Sequence, residues 1–150
     1  MKVDGHLTAD WAGIPDHIKL LESEGFDGVG TAEMNHDPFF PLLIAAEHSE
    51  NIQLQTGIAV AFARSPMTLA NQGHDLNAYS KGRFTLGLGS QIRAHITKRF
   101  SMPWGAPALQ MRELILAMPR LNPTMRRALG CALRCPVSYT HLTLPTICSV

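Results

Sequence analysis

The 150-residue chain repeats one local pattern, and that repetition limits the possible folds more than any single residue does. Short apolar runs begin near residues 2, 27, 52 and 84, and each leads into a stretch whose apolar residues recur every three to four positions. Met1 to Leu7 reads as a first strand, and Ile14, Ile18 and Leu21, closed by Gly25, mark a first helix. Phe26 to Thr31 is a second strand, followed after the loop Ala32 to Asp37 by a helix over Pro38 to His48. Ile52 to Gly57 is the third strand, and Ala59 to Arg64 reads as a long loop leaving it. Ser65-Pro66 then starts a helix: the hydroxyl can accept an orphan backbone N–H, and proline in the first turn forfeits no bond. Leu69, Ala70, Gly73 and Leu76 line one face of that helix up to Lys81-Gly82. In the fourth strand, Phe84 to Gly89, Phe84, Leu86 and Leu88 point one way, while Thr85, Gly87 and Gly89 point the other. One face is therefore apolar and the other nearly bare, with room for a ligand. A fourth helix fits Pro107 to Met118, with Met111, Leu114, Ile115 and Met118 on one side.

Strands and helices alternating at this spacing imply right-handed βαβ units on a parallel sheet. Two α/β architectures use such units, an open doubly wound sheet and a closed eight-unit barrel. An open sheet usually carries G-x-G-x-x-G in its first βα turn, but that turn here is LTADWAG, Leu7 to Gly13. Gly87 and Gly89 continue into Ser90-Gln91-Ile92, which does not complete the fingerprint either. The barrel is favoured. A complete (β/α)8 TIM barrel takes about 250 residues, so a chain with four βα units reads as the N-terminal half of one.

Composition divides the chain at Met118. Residues 1–118 hold nine Lys and Arg against twelve Asp and Glu, a net of −3, and no cysteine. Residues 119–150 hold four Arg, no acid and all three cysteines. Pro119 is expected to break the fourth helix in mid-pattern, and Val137 to Thr146, VSYTHLTLPT, resembles a translated transposon-type sequencing adapter. The expected organisation is a partial barrel over 1–118 and a non-native or disordered tail over 119–150, from a frameshift and adapter read-through. Cys131 and Cys135 have no histidine or cysteine partner at zinc-like spacing, so no metal site is expected. Arg126-Arg127 is too short a basic run to imply nucleic acid. No charged leader precedes an apolar run, and no segment approaches 18 consecutive apolar residues, so a soluble cytoplasmic protein without membrane contact is expected.

In a parallel barrel, chemistry gathers at the carboxyl ends of the strands, which singles out Asp4 and His6, Glu33 to Asp37, Gly57 to Arg64, and Gly89 to Trp104. Glu33 and His36 are the candidate catalytic pair, because a carboxylate beside an imidazole can share acid and base work. Asp37 before Pro38 has the simpler role of a helix cap. His17, His48 and His74 fall within helices and read as surface or packing residues.

The run LQTGIAVAFARSPMTLANQGHDLNAYSKGRFTLGLG (Leu54 to Gly89), with GFDGV at Gly25 and AEMNHDPFFPL at Ala32, resembles the luciferase-like oxidoreductase superfamily, and most closely its F420-dependent branch. That resemblance implies a barrel binding a deazaflavin F420 ring, or alternatively FMN, at its carboxyl face, with hydride moving to or from the ring. It implies a bulge with a non-proline cis peptide at Gly57–Ile58, and ring contacts at Gly57, Ile58, Ala59, Gly87, Gly89 and Ser90. Many F420 enzymes carry a histidine or Asp-His pair at the second strand end, where this chain has Glu33 with His36 three residues on. The expected partner is a small-molecule substrate, with a homodimer as one state open to a full-length parent. Two other readings stay open: a non-catalytic half-barrel with an exposed sheet edge, and a barrel that binds a phosphorylated metabolite.

Overall fold

A computed structural model describes residues 2–7, 10–121 and 133–134. Strand β1 is Asp4–His6, β2 Gly28–Thr31, β3 Gln53–Thr56, β4 Ala59–Val60, β5 Phe84–Gly89 and β6 Leu133–Arg134. The helices are α1 Ile14–Ser23, α2 Phe39–Glu47, α3 Pro66–Tyr79 and α4 Pro107–Leu121, with a 3-10 turn at Ala61–Ala63 and a π-helical turn at His95–Arg99.

Every strand pairing is parallel, and the sheet runs β1-β2-β3-β5-β4, with β6 beside β5. Because β3 and β4 both pair with β5, they are two pieces of one barrel strand, separated at Gly57–Ile58. Among the described residues the order does not reverse, so they contain no switch point of the doubly wound kind. Neighbouring helices pack on one another in turn, α1 on α2, α2 on α3 and α3 on α4, which places them as one layer. These are the first units of a TIM barrel, as the repeat predicts.

The sequence pattern explains the two faces. Val29, Leu54, Phe84, Leu86 and Leu88 are buried with Ile14, Ile18, Leu42, Leu69 and Met118 between sheet and helices. Each such side chain contributes roughly 1.5–3 kcal/mol by leaving water. The concave face, the interior of a barrel, carries Asp4, His6, Gln53, Gln55 and Thr85, none of them buried. Gln55 Nε2 donates to Asp4 Oδ2 at 3.0 Å across this face.

Helix α3 starts as its sequence predicts: the Ser65 hydroxyl accepts the Thr68 N–H at 3.2 Å, and Pro66 opens the first turn. It ends through Lys81 and Gly82, at φ 56° and 85°, the left-handed conformation that glycine adopts without a steric cost. Two sequence expectations are corrected. Pro119 does not stop α4, which continues to Leu121; the lost amide hydrogen bond and the crowding of the preceding turn can kink a helix without ending it. Ala59 to Arg64 is not a plain loop, because Ala59 and Val60 regain β pairing with Leu88 and Gly89 before the 3-10 turn. Beyond α4, the cysteines and Val137 to Thr146 lie outside the described residues.

At the amino ends of the strands, charges tie helices to the sheet. Glu22 on α1 accepts the backbone N–H groups of Glu50 (3.1 Å), Asn51 (2.5 Å) and Ile52 (2.9 Å) where the chain enters β3. Burial raises its pKa, but those N–H groups and the charge of Arg83 prevail, and the carboxyl is held below its ordinary value. Arg83, just before β5, donates to the carbonyls of Ala46 (3.2 Å), Ser49 (3.0 Å), Ile52 (3.0 Å) and Ser80 (3.0 Å) and to the Ser49 hydroxyl (2.9 Å). Desolvation lowers its pKa, only partly offset by Glu22.

Candidate active site

The carboxyl end of the sheet is organised by a break in the third barrel strand. After Thr56 the Gly57–Ile58 peptide is cis, as the family resemblance implies. The break is sewn to the end of β2: Gly57 N–H donates to the Thr31 carbonyl at 2.6 Å, and Glu33 N–H to the Ile58 carbonyl at 3.1 Å. A side chain at Gly57 would meet nothing nearer than the Thr31 carbonyl at 3.9 Å, so the space over this residue is open.

The bare face of β5 has a different explanation from the one its sequence suggests. A Cβ at Gly87 would lie 2.0 Å from the Thr56 carbonyl oxygen, and the Thr56 hydroxyl exchanges two 2.8 Å hydrogen bonds with Gly87 N–H and C=O. At Gly89 a Cβ would lie 2.7 Å from the Ile58 side chain. The glycines admit the protein's own broken strand, not open space for a ligand. Gly87 and Ala59 are buried, Ile58, Gly89 and Ser90 half-buried, and Gly57 exposed.

Glu33 follows β2 and is 8% exposed. Its Oε2 accepts the Val60 N–H at 2.7 Å and Arg64 Nη1 at 2.7 Å. Arg64 Nη2 donates to Asp37 Oδ2 at 2.8 Å, while Asp37 Oδ1 accepts the Phe39 N–H at 2.8 Å, at the start of α2. The guanidinium also lies 5.6 Å from the centre of the Phe39 ring. Burial alone would lower the Arg64 pKa, but hydrogen bonds and charge from Glu33 and Asp37 outweigh it and raise it. Asp37 thus lies one residue before the N-cap, Pro38, where it bonds the first helical N–H, and it also takes half of an ion-pair clamp.

Glu33 and His36 are brought into the same loop but are not joined; no hydrogen bond links them among the described residues. His36 is exposed, its ring 5.8 Å from that of Trp11 in an edge-on arrangement. Both His6 and His36 line a cleft of about 140 Å³ between the β1–α1 and β2–α2 loops, walled by Trp11, Thr31, Met34 and Pro41. The π-helical turn reaches back over this side, where Arg99 donates to the Met34 carbonyl.

The role of Arg64 was missed by motif reading, although a signal existed. It is the only Lys or Arg between Lys19 and Lys81, at the end of a barrel strand, and faces two acids in the preceding loop. No group of His, Cys, Asp and Glu among the described residues could hold a metal ion.

This break, with the clamp beside it, sits in a segment that matches a family model described as luciferase-like monooxygenase over residues 2–129. The chain belongs to that family. An uncharacterized protein of Mycobacterium tuberculosis is 58% identical to this luciferase-like chain over 118 residues, 79% of the chain and 35% of the relative. The chain therefore spans about a third of the length of the curated relatives it matches. A 5,10-methylenetetrahydromethanopterin reductase of Methanolobus tindarius is 31% identical over 107 residues, 70% of this chain and 32% of that protein. Among solved structures, the coenzyme F420-dependent tetrahydromethanopterin reductase of Methanopyrus kandleri matches at TM-score 0.69 and 22% identity, covering 80% of this chain and 39% of that one. The monooxygenase RslO1 of Streptomyces bottropensis matches at TM-score 0.71 and 22% identity, covering 80% and 42%. At that identity the structural matches show the luciferase-like barrel fold alone.

Proposed function

We propose that this segment belongs to an oxidoreductase that transfers a hydride between a small-molecule substrate and coenzyme F420. The observation that carries the reading is the wall at the carboxyl end of the sheet: Gly30, with no side chain, leads to the open space over Gly57 and the Gly57–Ile58 peptide. A flat, fused ring fits against such a surface, with Ile58, Ala59, Gly89 and Ser90 bordering it and Gly87 fixing its support. When bound, the ring supplies the hydride chemistry, and the protein supplies position, exclusion of water and proton handling. The relative from Methanolobus tindarius is named a 5,10-methylenetetrahydromethanopterin reductase, which supports hydride transfer.

FMN is the alternative ring, supported by the fold shared with the oxygenating component of 3,6-diketocamphane monooxygenase from Pseudomonas putida, solved in complex with FMN (TM-score 0.69, 16% identity). In either reading Glu33 serves through its clamp, holding the broken strand and the β2–α2 loop in one geometry, while His36 borders the substrate cleft. No helix among the described residues is long and apolar enough to cross a membrane; a cytoplasmic protein, without nucleic-acid partners and homodimeric in its full-length form, is part of this proposal. So is the division at Met118 into a partial barrel and a foreign tail. The deciding experiment is an absorbance titration of the full-length protein with F420 and with FMN. Saturable binding of F420 is expected, tighter than of FMN; the reverse order favours the monooxygenase reading, and binding of neither removes the redox assignment.

A further inference from the structure

We propose that His6 is a catalytic residue of this site, carrying the proton that accompanies hydride transfer; the inference rests on the function proposed above. A Cβ on Gly5 would meet Leu21 at 3.2 Å and Phe26 at 3.4 Å, so Gly5 faces the helices and His6, one residue on, faces the concave side. His6 ends β1 in register with Gly30, and Gly30 pairs with Gln55. The imidazole therefore stands beside a step that has no side chain, at the rim of the cleft it shares with His36.

Its tautomer is set by the backbone. Nδ1 lies 2.5 Å from the Leu7 carbonyl oxygen. A carbonyl can only accept, so Nδ1 carries the hydrogen in the neutral ring and Nε2 presents its lone pair. Among the described residues nothing hydrogen-bonds Nε2, and the residue is exposed.

The carboxylates near this face are already engaged. Asp4 accepts from Gln55 at 3.0 Å. Glu33 and Asp37 are both bonded to Arg64, and Glu33 Oε2 also accepts the Val60 N–H. His36 lies edge-on to Trp11, and among the described residues no hydrogen bond orients either of its ring nitrogens. His6 is the group with an oriented and unoccupied basic nitrogen. As a substrate C–H bond gives its hydrogen and both electrons to the ring, the substrate's O–H or N–H bond breaks and its electron pair forms C=O or C=N. The released proton goes to Nε2, leaving an imidazolium; substrate is oxidised by two electrons and ring reduced by two, and the reverse reaction returns the proton.

Two measurements test this. In ¹⁵N-histidine-labelled protein at pH 8, His6 should show a protonated Nδ1 and a bare Nε2; the opposite tautomer overturns the inference. In the full-length protein, carbethoxylation of His6 by diethyl pyrocarbonate, read by peptide mass spectrometry, should slow at least tenfold when F420 or FMN is bound, while His74 on α3 reacts at an unchanged rate. A bound probe that leaves His6 reactivity unchanged overturns the role of His6 and leaves the proposed function standing. Failure of the parent protein to bind either probe overturns both.

Discussion

Each end of the parallel sheet carries an arginine and a glutamate, and the two ends use them differently. At the amino ends, Arg83 and Glu22 do not touch; each spends its charge on backbone groups, Arg83 on four carbonyls and Glu22 on three N–H groups. At the carboxyl ends, Arg64 bonds Glu33 and Asp37 directly, with side chains 13%, 6% and 26% exposed. The first arrangement holds ordinary turns in place and leaves Arg83 with a lowered pKa. The second fixes a broken strand against the loop that borders the cleft, and raises that of Arg64. Charge meeting backbone reads as stability; charge meeting charge at a strand break reads as the support of a site.

The contrast predicts unequal losses. Arg64→Ala should have the largest effect, because it leaves the Glu33 carboxylate buried without its partner, about 3 kcal/mol by the usual cost of breaking such a pair. Urea unfolding measures it, and a loss no greater than that of Glu22→Gln would erase the distinction between the ends. Gly87→Ala should cost about 2 kcal/mol through forced overpacking, since its Cβ would lie 2.0 Å from the Thr56 carbonyl. Gly57→Leu is the sharper companion: with open space there, it should leave stability nearly intact while weakening cofactor binding in an absorbance titration, and equal affinities would sink the ring placement.

At the amino end, Glu22→Gln should cost about 1 kcal/mol, the scale of hydrogen bonds to a charge discounted for solvent screening. The pH dependence has a defined sign. Because the folded pKa of Glu22 is depressed, its contribution is fully present above the unfolded value, about 4.3, and drains away as pH falls through the folded one. A unfolding free energy measured from pH 6 to pH 3 should therefore fall less steeply in the Gln variant. The smallest effect is Ser65→Ala, about 0.5 kcal/mol for an exposed cap, which thermal melting would register equally whichever end of the sheet is intact.

Much of this architecture was legible because periodicity is local. Phe84 to Gly89 matches β5 residue for residue, and Ser65-Pro66 begins α3 through the capping bond its residues imply. The end of α4 was misread because Pro119 was taken as a stop, whereas the cost of a proline inside a helix can be met by a kink as well as by an end. The bare face of β5 was legible, but not what lies against it: a missing side chain signals a close approach, and only three-dimensional geometry shows that Thr56 approaches Gly87 and Ile58 approaches Gly89. Arg64 escaped for the same reason, since its two carboxylates lie 27 and 31 residues upstream. The acid–imidazole spacing of Glu33 and His36 placed both in one loop without revealing that the acid was already taken.

The unreversed order of β1, β2, β3 and β5 bears on how the protein is made. After β1, each of these strands pairs in parallel with a strand earlier in the chain, so none of them waits for a distant segment before it can pair. On a ribosome the chain emerges slowly compared with the microseconds in which helices and short loops form. The first βα unit can gather its helix while the second is still being translated, and each later unit docks on an edge already present. Synthesis and assembly can run in the same direction.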